Sequence, residues 1–385
     1  MRTIGVVTTC RSDYGIYLPI LKQIQTHPPL ELQLYVTGMH LKAQFGHTVD
    51  LIERDGFPIT AKVDMLLSDS PCDIATAMGK GTMGFAEIFK ERRPDILLVL
   101  GDRFEMHAAA VAAIPFGIPI AHIHGGELTY GSFDDYFRHS LTKFSHLHFA
   151  STEVYANRIR QMGEEPWRVI VSGAPGLDHI LAAPRYSREE LGNRFKIDCS
   201  RPVLLVTFHP VTKECERTKK YIHNLLEALT SYENYRIVFT APNADTHGQV
   251  IADAMAKFVK EHQNAFWVAN FGPEGYVSIM AHAEAMVGNS SSGIIEAASF
   301  ELPVVNIGTR QNGRIQTKNV INVGCRTQDI REGIEKAVST EFVQSIAGIA
   351  NPYGDGRASE RIVGVLAEVE LERLKGKEFC DLPNS

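Results

Sequence analysis

Residues 95–126, "DILLVLGDRFEMHAAAVAAIPFGIPIAHIHGG", decide the fold. An uninterrupted apolar run opens the stretch, and a second apolar run closes it. Runs apolar on both faces suit strands of a parallel sheet covered by helices. Between them, residues 104–116 read as a helix. The order strand, helix, strand is the unit of a doubly wound α/β domain.

Outward from this stretch the pattern repeats. "TIGVVTT", "LELQLYVTG", "HLHFAST" and "WRVIVSGAP" read as strands of the same sheet, with a helix at 14–26. A polar segment with helix and strand breakers follows at 183–202. The pattern then restarts with "PVLLVTFHP", "YRIVFTAPN", "AFWVANF", "AEAMVGNSS", "LPVVNIGTR" and "NVINVG". The expectation is α/β, with two doubly wound Rossmann-like domains at 1–180 and 181–357. In open parallel sheets, ligands sit beyond the carboxyl ends of the strands. The active site is therefore expected in an interdomain cleft lined by both sets of strand-end loops.

Composition agrees with two cores. The chain has 385 residues, 44% of them hydrophobic and 22% charged, which suits two globular domains of roughly 150–200 residues each. A net charge of −6 gives no electrostatic reason to expect nucleic acid or an anionic membrane. No apolar run approaches the roughly 20 residues of a membrane span. The start "MRTIGVVTTCRSDYG" turns polar too soon for a signal peptide. The six cysteines are scattered without a C-x-x-C pair, a pattern expected of free thiols in the cytoplasm.

The residues just after each strand carry the chemistry. "TCRSDYG" lacks the G-x-G-x-x-G dinucleotide fingerprint and places Arg11 near a phosphate or a base. "LGDRFEM" puts Asp102 and Arg103 at a strand-to-helix joint. There Asp102 is either a helix N-cap or a general base. "AHIHGGELTYGSFDDYFRHS" is the densest titratable cluster, with His122, His124, Glu127, Asp134, Asp135, Arg138 and His139. His122 and His124 share a strand face, which raises a metal site, but no further H-x-x-x-H or C-x-x-C completes a ligand set. Asp134 or Asp135 also reads as the N-cap of a helix. In the second half, His209 ends a strand in "VTFHPVT", and Asn243 lies in the polar loop "TAPNADTHG".

"GNSSSGIIEAASFELPVVNIGTR" (288–310) holds Ser290, Ser291 and Ser292 at a strand-to-helix turn. A helix N-terminus offers unpaired N–H groups to an anion such as phosphate. Glu296, about a turn into that helix, can accept both hydroxyls of a ribose. Arg310 can add a charge-assisted bond to a diphosphate. One serine with a helical glutamate would be an ordinary cap; three serines exceed that need.

Together "TCRSDYG", "LGDRFEMHAAA", "HIHGGE…DD…RHSLTKFSHLHF", "PNAD", "NSSSGIIEAASFELPVVNIGTRQNGR" and "YGDGRASERI" resemble the hydrolysing UDP-N-acetylglucosamine 2-epimerases of sialic-acid synthesis. The similarity spans essentially the whole chain. It implies a glycosyltransferase-B-type fold whose C-terminal helix (358–378) packs back on the first domain. It also implies a homodimer or homotetramer, a UDP-sugar substrate, and no cofactor or metal. The implied reaction converts UDP-N-acetylglucosamine and water to N-acetylmannosamine and UDP through a 2-acetamidoglucal. By motif, Asp102 and Asp134 fall on catalytic aspartates. His209 falls near the leaving diphosphate. Ser290, Ser291, Glu296 and Arg310 fall on UDP-binding positions, while Arg11 and Arg103 line the nucleotide-sugar site. The family form "HIEGGE" has a glutamate where this chain has His124, so that proton-transfer role falls to His124 or Glu127. The same chemistry on UDP-N,N'-diacetylbacillosamine or GDP-N-acetylglucosamine is the near alternative, followed by the non-hydrolysing epimerase. A glycosyltransferase of the same fold and a non-catalytic nucleotide-sugar sensor are the more distant ones.

Overall fold

A computed structural model describes residues 1–68, 70–129, 134–211, 216–241 and 248–381. Its first sheet is built from β1 (Arg2–Thr8), β2 (Leu30–Thr37), β3 (Ile59–Val63), β4 (Ile96–Leu100), β5 (Ile120–Ile123), β6 (Leu147–Ala150) and β7 (Val169–Val171). All pairings are parallel, in the order β3-β2-β1-β4-β5-β6-β7. The second contains β8 (Val203–Thr207), β9 (Arg236–Thr240), β10 (Ala265–Val268), β11 (Ala285–Gly288), β12 (Val304–Ile307) and β13 (Val320–Val323). It too is parallel, in the order β10-β9-β8-β11-β12-β13.

The apolar runs explain why these strands are interior. Every residue of β4 and of β8 is buried. In the second sheet, Leu204 and Val206 join one core with Phe239, Val287 and Val305. Their neighbours Val203 and Leu205 join another with Val238, Met286 and Val304. Side chains alternate across a strand, so helices cover both faces, as the continuous apolar runs require.

Strand order reverses twice. β1 lies between β2 and β4, and β8 lies between β9 and β11. Such reversals open a crevice at the carboxyl ends of the two strands involved. The loops after β1 and β4, and after β8 and β11, flank those crevices. Asp102, His209, Ser290 and Ser291 lie on these loops, and Arg11 and Ser292 open the helices that follow them.

Two compact units result. One contains Met1–His179 with the segment from Tyr353 onward; the other is Ile180–Pro352. The returning segment carries the helix Ala358–Glu368, whose Ile362, Val363 and Leu366 are buried in the core of the first unit. Its start is held by Asp178, whose carboxylate accepts from Ala358 N (2.9 Å) and Ser359 N (2.5 Å), and from Ser359 Oγ. Among the described residues, no helix is long and apolar enough to cross a membrane. The described cysteines form no disulfide.

Candidate active site

Asp102 does not cap a helix. The helix that follows it, Phe104–Ala113, has Arg103 at its N-cap position. The Asp102 carboxylate instead pairs with the buried Arg138 guanidinium. Arg138 stands on the helix Asp134–Phe144. Its Nη1 donates to the carbonyl of His124 (2.9 Å) and its Nη2 also reaches Thr129 Oγ1 (3.2 Å). One fork thus ties the β4 loop, the β5 loop and the helix after it. Burial pushes the Asp102 carboxyl up; Arg138 opposes the rise, while Asp134 and Glu127 add to it.

The β5 loop turns sharply at "HGGE". His124 and Gly126 both have positive φ, 62° and 76°. A Cβ on Gly126 would sit 2.4 Å from the Tyr155 carbonyl oxygen, so only glycine fits that close approach. The left-handed turn brings His124 Nδ1 to 2.6 Å from Glu127 Oε1. The same oxygen accepts from Ser151 Oγ (2.9 Å). His124 and Glu127 therefore form one imidazole–carboxylate couple. Asp134 opens its helix beside Asp135, whose carboxylate accepts from Thr129 N (2.8 Å) and so pins the loop from the other side.

His122 belongs to the core. Its side chain is fully buried, its Nε2 lies 2.7 Å from the Gly101 carbonyl, and burial lowers it to about 3. That bond fastens the ends of β4 and β5. Among the described residues, no group of three His, Cys, Asp or Glu side chains is placed to hold a metal ion.

Arg11 is exposed at the start of the helix Arg11–Thr26. A buried network holds its loop. The Asp13 carboxylate accepts from Thr8 Oγ1 (2.6 Å), Thr9 Oγ1 (2.6 Å) and Thr9 N (2.9 Å). His40 stands behind it, 3.0 Å from Thr8 Oγ1. Arg103 is clamped by Glu105, with Nη2 to Oε1 at 2.7 Å and Nε to Oε2 at 3.2 Å.

In the second unit, a reciprocal amide pair joins the ends of β8 and β11. His209 N donates to Asn289 Oδ1 (2.7 Å), and Asn289 Nδ2 donates to the His209 carbonyl (2.9 Å). The Asn289 carbonyl then accepts from Arg310 Nη1 (3.2 Å) and Gln311 Nε2 (2.8 Å). Three strand ends converge on one asparagine. Burial, with Arg310 beside it, lowers the His209 imidazole to about 4, so the ring is neutral at physiological pH.

The serine turn differs from its expected form in one respect. The α-helix after it spans only Ser292–Ile295, and a 3₁₀ turn, Ala297–Phe300, follows. Glu296 is the joint between the two. Ser292 N donates to Ser290 Oγ (3.3 Å). Ser292 Oγ donates to Glu296 and accepts from Tyr276 (3.0 Å). Ser291 holds the N-cap position, and its side chain makes no capping bond. Burial raises the Glu296 carboxyl and the Ser292 bond opposes that rise. Asn243 lies outside the described residues.

Sequence reasoning named Asp102, His124, Glu127, His209 and the serine turn on the loops after strands, where the structure places them, and Asp134, which the structure places at the start of the helix Asp134–Phe144. It counted Arg138 within the titratable cluster but gave it no role. It placed Asn289 at the turn with the serines, again without a role. It missed Ser151, Asp13, Glu105 and Tyr276.

This is a two-unit α/β fold of the glycosyltransferase-B type. The solved UDP-GlcNAc 2-epimerase of Neisseria meningitidis, bound to UDP-GlcNAc, matches 96% of this chain and 100% of its own, with a TM-score of 0.80 at 21% identity. The sequence carries the comparison further: the family profile for UDP-N-acetylglucosamine 2-epimerase matches residues 22–367, and the chain belongs to that family. The UDP-N,N'-diacetylbacillosamine 2-epimerase (hydrolyzing) of Legionella pneumophila is 37% identical, over 96% of this chain and 97% of its own. The GDP/UDP-N,N'-diacetylbacillosamine 2-epimerase (hydrolyzing) of Campylobacter jejuni is 36% identical, over 99% of each.

Proposed function

We propose that the protein is a hydrolysing 2-epimerase of a UDP-linked 2-acetamido sugar, releasing the 2-epimeric free sugar and UDP. The observation that carries this reading is the cluster around Arg138, whose guanidinium holds both the Asp102 carboxylate and the main-chain carbonyl of His124, the residue whose imidazole pairs with Glu127. Epimerisation at carbon 2 needs two proton-transfer groups, because the proton leaves one face and returns to the other. Asp102, raised by burial, is one group. His124 is the other, with Glu127 fixing Nδ1 so that Nε2 handles the proton. The couple thereby fills the role of the glutamate in the "HIEGGE" form. Asp134 adds the carboxylate field that keeps Asp102 basic.

In the first step, the carbon 2 proton passes to the base. The C–H electrons form the C1=C2 bond, and the C1–O bond breaks towards UDP. Water then adds its oxygen to carbon 1, and a proton returns to carbon 2 from the opposite face. The reaction as written needs no metal or redox cofactor. Ser290, Ser291 and Arg310 receive the diphosphate, with neutral His209 as a hydrogen-bonding neighbour. Glu296 takes the ribose, Arg11 and Arg103 line the nucleotide-sugar site, and Asn243 contributes a polar contact. Asp102 and His209 are thus assigned to chemistry and leaving group respectively. The same reading makes the protein a cytoplasmic homodimer or homotetramer in the synthesis of sialic-acid-type sugars.

Relatives named for N,N'-diacetylbacillosamine nucleotides support a diacetylated sugar. UDP-N-acetylglucosamine is the second reading, favoured by the family profile and by the UDP-GlcNAc-bound structure of the Neisseria enzyme. Proton NMR in deuterated water with each nucleotide sugar tests the proposal. The expected products are UDP and a free 2-epimer carrying deuterium at carbon 2. An epimer still linked to UDP, or a released sugar that keeps its original carbon 2 proton, overturns it.

A further inference from the structure

Lys377 holds the far end of the helix that carries Arg138. It lies on the returning segment, just beyond the short helix Leu371–Leu374. Its ammonium donates to the carbonyls of Lys143 and Ser145 (2.7 Å each) and of Thr142 (3.4 Å). These carbonyls close the helix Asp134–Phe144, and the last carbonyls of a helix have no partner within it. A cation there also complements the helix dipole. The same ammonium meets the buried Glu164 carboxylate at 2.8 Å. Glu164 in turn accepts from Lys143 Nζ (2.6 Å) and lies 3.0 Å from His148 Nε2. Burial pushes that carboxyl up, but His148, Lys143 and Lys377 together hold it at about 2.

The segment around Lys377 has anchors of its own. Leu374 is buried in the core of the first unit. The Gly376 carbonyl accepts from Arg168 Nη2 (2.9 Å), and Cys380 N donates to the Gly163 carbonyl (2.9 Å). Phe379 lies so close to Gly163 that a Cβ there would sit 2.4 Å from its ring. Lys377 is thus fixed from both sides before its own bonds are counted. Arg138 stands one turn before the carbonyls that Lys377 grips, and Thr142 Oγ1 donates to the Arg138 carbonyl (3.1 Å).

We infer that Lys377 is a positioning residue for the proton-transfer cluster. It sets the place of the helix bearing Asp134 and Arg138, and through Arg138 that of Asp102 and the His124 turn. The inference rests on the hydrolysing-epimerase reading and adds to it a control point more than 230 positions away in the chain. A small displacement of catalytic groups is enough to slow chemistry without weakening binding.

Lys377→Met keeps most of the stem and removes the donor. Steady-state kinetics with UDP-N,N'-diacetylbacillosamine and UDP-N-acetylglucosamine test it, beside calorimetry with UDP and hydrogen exchange of the intact chain. kcat should fall roughly 10–100-fold, with KM and UDP affinity within about twofold. Asp102 is faced by Arg138, Asp134, Glu127 and Arg103. A loosened Arg138 opposes the rise of its carboxyl less, so the acid limb of the kcat profile should move to higher pH. Amides of residues 138–145 should exchange roughly tenfold faster, with the strands unchanged. Should the single variant unfold, Lys377→Met with Glu164→Gln carries the same expectations, since no buried carboxylate is then left short of a partner. Unchanged kcat and acid limb in an active protein overturn the role of Lys377 alone. So does a loss of kcat accompanied by faster exchange throughout the unit. Failure of the unaltered protein on both sugars overturns the hydrolytic reading and this role with it.

Discussion

Asp102 is the residue where position and chemistry meet. Its carboxylate is partly buried and joined to one guanidinium, so its charge state is sensitive to every neighbour. Asp102→Asn keeps the shape and removes the proton acceptor. The expected outcome is unchanged UDP affinity by calorimetry, with turnover reduced about 10²–10⁴-fold. A matching loss of UDP affinity would make it a binding residue. His124 and Glu127 should behave as one unit. Single changes His124→Ala and Glu127→Gln, and the double change, are expected to cost similar factors in kcat, since partners acting together are not additive. Independent, multiplying losses in a double-mutant cycle would separate their roles. These residues were legible because carboxylates and imidazoles at strand ends are conspicuous. The role of Arg138 was not, because its partner Asp102 lies 36 positions away. Only the packing of a helix against two strand loops brings them together.

Elements were legible wherever burial was two-sided. β4, β5, β8 and β11 were all visible as apolar runs, and each lies inside its sheet. β3, "ITAKV", was missed. It is an edge strand, and only Val63 in it is buried. One-sided burial leaves no continuous apolar run for a reader to find. The helix after the serines read longer than it is, because "SGIIEAASF" has helical composition, while packing breaks it at Glu296. The returning helix Ala358–Glu368 depends on a cap drawn from far away in sequence. Asp178→Ala removes the acceptor for two buried backbone N–H groups. Each orphaned group costs roughly 1–3 kcal/mol, so chemical denaturation should show a loss of about 2–6 kcal/mol. A change below about 0.5 kcal/mol would mean that water replaces the cap.

Across the whole molecule, acid should act through imidazoles that burial keeps neutral, among them His122 and His146 in the first unit and His209 in the second. His122 and His209 sit at about 3 and about 4 in the folded protein, against an ordinary value of 6.5. Between those values and 6.5 the unfolded chain binds more protons than the folded one. Stability therefore rises with pH in that window and is lost on acidification. At pH 5 each group withdraws about 2 kcal/mol. His209→Asn lacks this liability. The stability gap between the unaltered protein and that variant should narrow by about 2 kcal/mol from pH 7 to pH 5, read by urea denaturation at each pH. A gap independent of pH would mean that His209 is charged when folded.

The first unit is made from two stretches of chain with the second unit inserted between them. During synthesis, Ile180–Pro352 has all its strands as soon as it leaves the ribosome. The earlier-made unit then still waits for Ile362, Val363 and Leu366 to cover its core. The order of manufacture and the order of completion are thus inverted, and the nascent first unit carries an uncovered apolar face while the second is being translated. A chain ending at Pro352, released or tethered to the ribosome by an added linker long enough to fill the exit tunnel, should have a protease-resistant second unit and a cleavable first one. Chaperones that bind nascent apolar surface would find their longest-lived target in the part of the chain that emerged first.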